Sequence, residues 1–228
     1  RRRRPAGGGA LRVTWLLLNW QQVIDLTVAH LLLSVPAIVV SILIAVPIGR
    51  LAFRRPRAGG PIFAVSTVLY AIPALPLLII IPAVVGTPLR SSATMIIALS
   101  VYGIALLVRT AADAFSSVDA EVRTGAIAVG HSPRSIFWRV DLPPPVPVLI
   151  GGIRVMAVST IGLVTIGALI GVPSLGTLLT DGFQRGIAAE VATGIIATVV
   201  LALVIDALLV IAGRILAPWA RAETAVRR

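Results

Sequence analysis

The 228-residue sequence has no cysteine, and every one of its 20 basic residues is arginine. The missing cysteine excludes disulfide scaffolds, thiol nucleophiles and Cys-ligated zinc or iron–sulfur centres. No GxxxxGK[ST] phosphate loop is present, so the chain carries no nucleotide-hydrolysing motor of that type. Charge is scarce at 13%, against about a quarter in soluble domains. Hydrophobic residues make up 57% and the mean hydropathy is +1.00, more apolar length than one water-soluble core of this size would bury. An ordinary soluble enzyme is therefore excluded. Only nine acids oppose the arginines, for a net charge of +11. Such an excess points to nucleic acid or an anionic membrane surface, and the apolar composition selects the membrane.

A bilayer core of about 30 Å needs roughly 20 apolar residues in a helix. Five segments answer that description, at about 28–49, 62–85, 93–108, 146–170 and 194–213. The expected fold is all-α and polytopic. Arginine placement sets the orientation, because short cytoplasmic loops retain positive charge. The loop with Arg50, Arg54, Arg55 and Arg57, the segment 109–143 and the tail from Arg214 hold twelve arginines, whereas the opposite loops hold only Arg90 and Arg185. The richer side is expected inside, with a cytoplasmic C-terminus on the cytoplasmic (inner) membrane. Arg1, Arg2, Arg3 and Arg4 oppose this assignment, since five spans put them outside. Residues 1–27 are read as an N-terminal interfacial segment with a Trp-anchored helix around Trp15 and Trp20. Residues 28–216 are read as the transmembrane domain and 217–228 as a cytoplasmic tail, with no cleaved leader visible.

Five prolines, Pro36, Pro47, Pro73, Pro76 and Pro82, fall within spans, and each frees a carbonyl that neighbours must satisfy. The close pair Pro73 and Pro76 predicts a local break in the second span. The longest connection, 109–143, is also the most polar. Within it a helix is expected over 118–129, a C-terminal turn at Gly130, and a second short helix from Ser132-Pro133. Such a helix–Gly–helix elbow is either a docking surface, with small residues Gly125 and Ala126 flanked by Arg123 and Arg134, or a solvated connection.

Gly130, nine residues, then Val140-Asp141-Leu142-Pro143 resembles the EAA signature of permease subunits of binding-protein-dependent ABC importers, with Thr124-Gly125-Ala126 where that pattern has Glu-Ala-Ala. The likeness continues in Gln21-Gln22, Tyr70-Ala-Ile-Pro73-Ala-Leu-Pro76, Tyr102 followed by Arg109-Thr110, Gly151-Gly152-Ile153-Arg154, Ser159-Thr160-Ile161-Gly162 and Leu169-Ile170-Gly171. Across residues 21–206 these are similar to permeases of osmoprotectant importers, which carry glycine betaine, carnitine or choline. The resemblance implies a type I importer permease fold. It also implies a second permease, identical or a sister chain, an external substrate-binding protein, and two cytoplasmic ATPase subunits that hold ATP and Mg, with no cofactor on this chain and no nucleic acid partner. The elbow would then be the coupling loop, with Arg123, Thr124, Gly125, Ala126, Gly130, His131, Arg134, Trp138, Leu142 and Pro143 as docking residues.

No catalytic residue or metal site is assigned. Arg154 and Asp206 are intramembrane charges, expensive in lipid; Asp206 is a natural partner for Arg154 or Arg109, while Arg154 is expected to reach the inner surface near the elbow. Tyr70, Pro73, Pro76, Tyr102, Ser159 and Thr160 are candidate pathway residues, the tyrosines because aromatic faces attract quaternary ammonium. Packing is the competing role for each. His30 and His131 stand apart from other metal-ligating side chains and read as core or interface residues. Three alternatives remain: the same importer class with an amino acid or glycoside as cargo, an ATP-independent secondary transporter or channel, and a membrane-embedded hydrolase. The second would be expected to show paired repeats or several intramembrane charges beyond Arg154 and Asp206, and the third lacks a base near Ser159.

Overall fold

The computed structural model describes residues 8–219, and within them the regular elements are all helical. Nine α-helices follow one another: α1 (Gly8–Arg54), α2 (Pro56–Ala71), α3 (Ala74–Val85), α4 (Ser92–Phe115), α5 (Ala120–Ala128), α6 (Pro133–Ile136), α7 (Pro145–Val164), α8 (Leu175–Gln184) and α9 (Ala188–Leu216). Four apolar helical stretches are long enough to cross a membrane: Trp15–Arg54, Ser92–Phe115, Pro145–Ile170 and Ala188–Leu216. The bent pair α2 and α3 makes a fifth if counted as one span. This is the expected all-α, polytopic architecture.

The boundaries differ from the sequence reading in instructive ways. The first span was expected from residue 28 with a separate helix before it; α1 starts at Gly8 and joins two helices across a kink at Asn19, where the dihedrals are non-helical. There the Asn19 side-chain amide donates to the Trp15 carbonyl at 2.8 Å, which offers the backbone a local alternative partner. The part of the expected interfacial segment from Gly8 onward is helical, as read for the stretch around Trp15 and Trp20. The arginines at positions 1–4 and the tail from 220 lie outside the described residues. Of the five prolines, Pro36 and Pro47 sit inside α1 and Pro82 inside α3, whereas the chain breaks at Ile72–Pro73. Ile72 is extended, as a residue before proline prefers. Pro76 falls in the first turn of α3, where a missing N–H costs little.

Helix ends follow local chemistry. Among the described residues four helical segments close on a glycine in the left-handed region, Gly86, Gly130, Gly171 and Gly186. After the last three, the next residue's N–H reaches back to a carbonyl of the last turn: His131 to Ala126, Val172 to Gly167 and Ile187 to Gly182. Ser174 caps α8 by accepting from the Gly176 N–H at 3.1 Å, while its own N–H donates to Thr177 Oγ1 at 3.2 Å.

The chain forms two compact units that share the long helices. One contains residues up to 37 with 74–99 and 159–203. Its centre includes Ile161, Val164, Leu175 and Leu178, all fully buried. Buried His30 joins them, its Nε2 donating to the Ile161 carbonyl at 3.0 Å, so it serves as a core residue. Gly176 lets α8 approach the Thr165 carbonyl so closely that any side chain would collide.

The other unit contains 38–73, 100–158 and the chain from 204. Ile38, Ala45, Leu107, Val108, Met156 and Ala157 form its core. Small residues bring its helices together: a Cβ at Gly49 would meet Ala111 and the backbone of α4, one at Gly152 would meet Thr110, and one at Gly213 would meet Ile150. Close approach through small residues is the packing device available where lipid removes the hydrophobic drive. This unit carries the elbow and both tyrosines.

Candidate functional site: a helical elbow and an aromatic cleft

The elbow takes the form its residues dictate. Asp119 caps α5 through a 2.8 Å bond from the Glu121 N–H, and Gly130 (φ +84°) turns the chain. Ser132 then caps α6 by accepting from the Ser135 N–H at 3.3 Å, with Pro133 at the first position. A wide π-type turn over Phe137–Asp141 leads towards α7. Nothing on α5 is buried, and Val122, Ile127, Val129 and Trp138 present apolar surface to the outside. A helix that hides no face within its own chain is a ready contact surface. The docking candidates Arg123, Thr124, Gly125, Gly130, His131, Arg134 and Trp138 are all exposed, and Ala126, Leu142 and Pro143 are half-buried. Thr124 spends its hydroxyl on the Ala120 carbonyl at 2.8 Å, and His131 Nδ1 pairs with Ser135 Oγ at 2.9 Å.

What sequence reasoning missed lies at the root of the elbow. Asp141 is buried and draws in three arginines from distant parts of the chain. Arg54 reaches it at 2.5 Å, Arg123 at 3.2 Å and Arg50 at 3.6 Å. The Arg50 guanidinium also lies over the Phe137 ring, 4.0 Å from its centroid, in cation–π geometry. Arg50, Arg54, Arg123 and Asp141 border a cavity of about 430 Å³ walled by Phe53 and Phe115. A buried carboxylate persists only when opposite charge compensates its desolvation. Asp141 thus ties α5 and the π-turn to the end of α1. The signal for it was available: it is the one acid between His131 and Pro145, set among arginines.

The second feature is the pairing of α2 with α4. Tyr70 and Tyr102 were read as separate aromatics; their ring centroids lie 5.1 Å apart, tilted by 48°. Seven residues along each helix, Arg109 lies over Phe63 at 5.2 Å, so the two helices run antiparallel. Between these contacts a cavity of about 160 Å³ is lined by Phe63, Ser66, Thr67, Tyr70, Ala105, Leu106 and Arg109. Among the other pathway candidates, Pro73 sits at the break after α2 and Pro76 at the start of α3. Ser159 is exposed while Thr160 is buried in packing.

The intramembrane charges find each other. Arg154 grips Asp206 through two parallel bonds, Nε to Oδ1 at 2.7 Å and an Nη to Oδ2 at 2.8 Å. This bidentate geometry matches guanidinium to carboxylate and neutralises both within α7 and α9. Arg154 was expected to reach towards the elbow; its guanidinium is committed to Asp206 instead, because a carboxylate on the neighbouring helix is the nearer compensation. In the other unit Arg185 pairs with buried Glu190 at 2.8 Å, and this bond holds the guanidinium above its ordinary pKa.

The family model described as "Binding-protein-dependent transport system inner membrane component" matches residues 37–222. The chain belongs to this family. It is a multi-pass membrane permease component with the type I ABC importer fold. It is 27% identical over 216 residues to the Choline transport system permease protein OpuBD of Bacillus subtilis (strain 168), covering 94% of both chains. It is 30% identical over 179 residues to the Osmoprotectant import permease protein OsmW of Salmonella typhimurium, covering 75% of this chain and 81% of that one. Among solved structures, the inward-facing MetNI methionine ABC transporter shares the fold with a TM-score of 0.66 at 23% identity, over 89% of this chain and 95% of that one. The elbow falls within the matched region.

Proposed function

We propose that this permease is the transmembrane subunit of an ATP-driven importer that moves an osmoprotectant such as glycine betaine, carnitine or choline across the cytoplasmic membrane by alternating access. Two separate ATPase subunits, holding ATP and Mg, dock on the elbow from the cytoplasm. A second permease, identical or a sister chain, completes the pathway, and an external binding protein delivers the cargo. The C-terminus is cytoplasmic. The observation that carries this is the elbow itself: α5, which buries none of its residues and exposes Val122 and Ile127, is anchored at its root to α1 through Asp141. An element that is exposed on one side and rigidly tied on the other transmits a partner's displacement into the membrane helices. Support for the cargo class comes from the similarity to choline and osmoprotectant permeases over most of the chain.

A second cargo reading has a specific observation behind it. The chain is 31% identical over 137 residues to the Ergothioneine transport permease/ergothioneine binding protein EgtU of Helicobacter pylori, although it covers only 24% of that protein. Uptake into proteoliposomes bearing the assembled transporter separates the readings. ATP-dependent accumulation of glycine betaine, carnitine or choline supports the proposal; accumulation of none of them, with another solute carried, moves the cargo and keeps the machinery.

A further inference from the structure

We infer that the arginine cluster at the turn from α1 to α2 is a binding site for a phosphate-bearing anion, and that its occupant is the headgroup of an anionic phospholipid. The site stands at the end of a span and is independent of the cargo. Its chemistry begins with charge that the chain leaves unmet. A second cavity of about 430 Å³ shares Arg50 and Arg54 with the one at the root of the elbow and adds Pro47, Leu51 and Arg55. Among the described residues its lining holds three guanidiniums and no acid. Asp141, the one acid lining the first cavity, takes hydrogen bonds from Arg54 and Arg123, while Arg50 stays 3.6 Å away with its Nε buried and unpartnered. Arg55 forms no ion pair among the described residues. A guanidinium carries five N–H donors in a planar fork, so Arg54 keeps donors for a second anion, and that fork suits phosphate oxygens.

Location selects the form of the anion. The apolar stretch Trp15–Arg54 ends here and α2 begins at Pro56, so the cluster lies where acyl chains give way to headgroups. Leading up to it, Leu43, Pro47 and Leu51 recur every fourth residue on one face of α1, all exposed, with Arg55 next in the series. From Leu43 to Arg54 the helix rises about 16 Å, close to the depth of one leaflet of a hydrocarbon core about 30 Å thick. An acyl chain laid along this strip brings its phosphate to the arginines. Free phosphate would meet the cationic rim alone and gain nothing from the strip. Basic pockets beside membrane helices hold anionic headgroups on the same principle. Arg50 and Arg54 also belong to the Asp141 anchor, so the lipid phosphate and the Asp141 carboxylate share two cations. Like charges drawn to one cluster weaken each other, and removing the carboxylate therefore strengthens the hold on lipid.

The test takes the full-length permease in its assembled complex, stripped of lipid in a neutral detergent, and titrates it with phosphatidylglycerol, phosphatidylcholine or inorganic phosphate while native mass spectrometry counts the molecules bound. Phosphatidylglycerol is expected to bind more tightly than either of the others. Arg55→Gln, at an exposed position with no ion pair to lose, should weaken that binding about fivefold, the scale of one arginine beside an anionic headgroup. Arg57→Gln removes the same charge from an exposed position outside the cavity lining and should change binding less than about twofold. Asp141→Asn should tighten it, and phosphatidylglycerol should recover part of the stability that this variant loses in detergent. Equal weakening by Arg55→Gln and Arg57→Gln reports diffuse charge and overturns the site, as does an Arg55→Gln complex that binds like wild type. Phosphatidylcholine held as tightly as phosphatidylglycerol overturns it as well. Inorganic phosphate bound as tightly as the lipid overturns the headgroup as occupant, and looser lipid binding by folded Asp141→Asn overturns the sharing of Arg50 and Arg54.

Discussion

Replacing Asp141 by Asn removes the one negative charge from a cluster of three guanidiniums while keeping shape and volume. The Asp141 side chain is 7% exposed, and the arginines around it are 27%, 44% and 44% exposed. Stripping one member from a fully buried pair costs about 3–5 kcal/mol, whereas a surface pair is worth about 0–1 kcal/mol. Because the carboxylate is buried but its partners are half in solvent, the expected loss is intermediate, about 2–3 kcal/mol. Removing one arginine, as in Arg54→Gln, leaves two others on the carboxylate and should cost under about 1 kcal/mol. The double variant D141N/R54Q should be more stable than D141N alone, since it relieves repulsion among the remaining cations. Denaturation in detergent, followed by tryptophan fluorescence, measures all three. A D141N protein no less stable than R54Q, or a double variant that merely adds the two losses, would refute the role of Asp141 as the anchor of the elbow.

Other outcomes follow from the same coordinates. Gly130→Trp forces a side chain into a left-handed turn at about 1–2 kcal/mol of local strain, and Arg134→Glu reverses charge on the exposed elbow. Both variants should stay in the membrane yet lose coupling to ATP hydrolysis, read as substrate-stimulated ATPase activity; normal transport would remove the elbow from the coupling route. Gly49→Ala pushes a methyl against the α4 backbone and should destabilise by about 1–3 kcal/mol, while Gly60→Ala, with open space around it, should be neutral or slightly stabilising by the same denaturation assay. Asp206→Asn leaves Arg154 uncompensated in the membrane and should lower the yield of inserted protein on a membrane-fraction blot. The exchange R154D/D206R should recover that yield, and failure to recover would show that the pair does more than neutralise charge.

The elbow was legible because its signals are local. Asp119, Gly130 and Ser132-Pro133 act on the backbone within a few residues, and the helices end where those residues require. The break before Pro73 was legible for the same reason, as an extended Ile72 is a direct steric consequence of the proline. Pro36 and Pro47 left α1 continuous, because neighbouring groups supply what one missing N–H takes away. Helix and span are different quantities in α1: Gln21, Gln22 and Asp25 are poor membrane residues but adequate helical ones, so helix extends well before residue 28. The Asp141 cluster was hidden because Arg54 lies 87 residues away, and no periodicity announces a contact at that distance. The tyrosine pair was half visible, since both residues were picked out but their meeting depends on how α2 packs on α4.

The most direct test of the central claim is the ATPase activity of the reconstituted complex with its binding protein, empty or loaded with glycine betaine, carnitine or choline. Stimulation by the loaded protein beyond the empty one is the predicted result, and it should disappear in Arg134→Glu. A complex that hydrolyses ATP at the same rate whichever form is added, or a permease that transports with no ATPase present, would contradict the account.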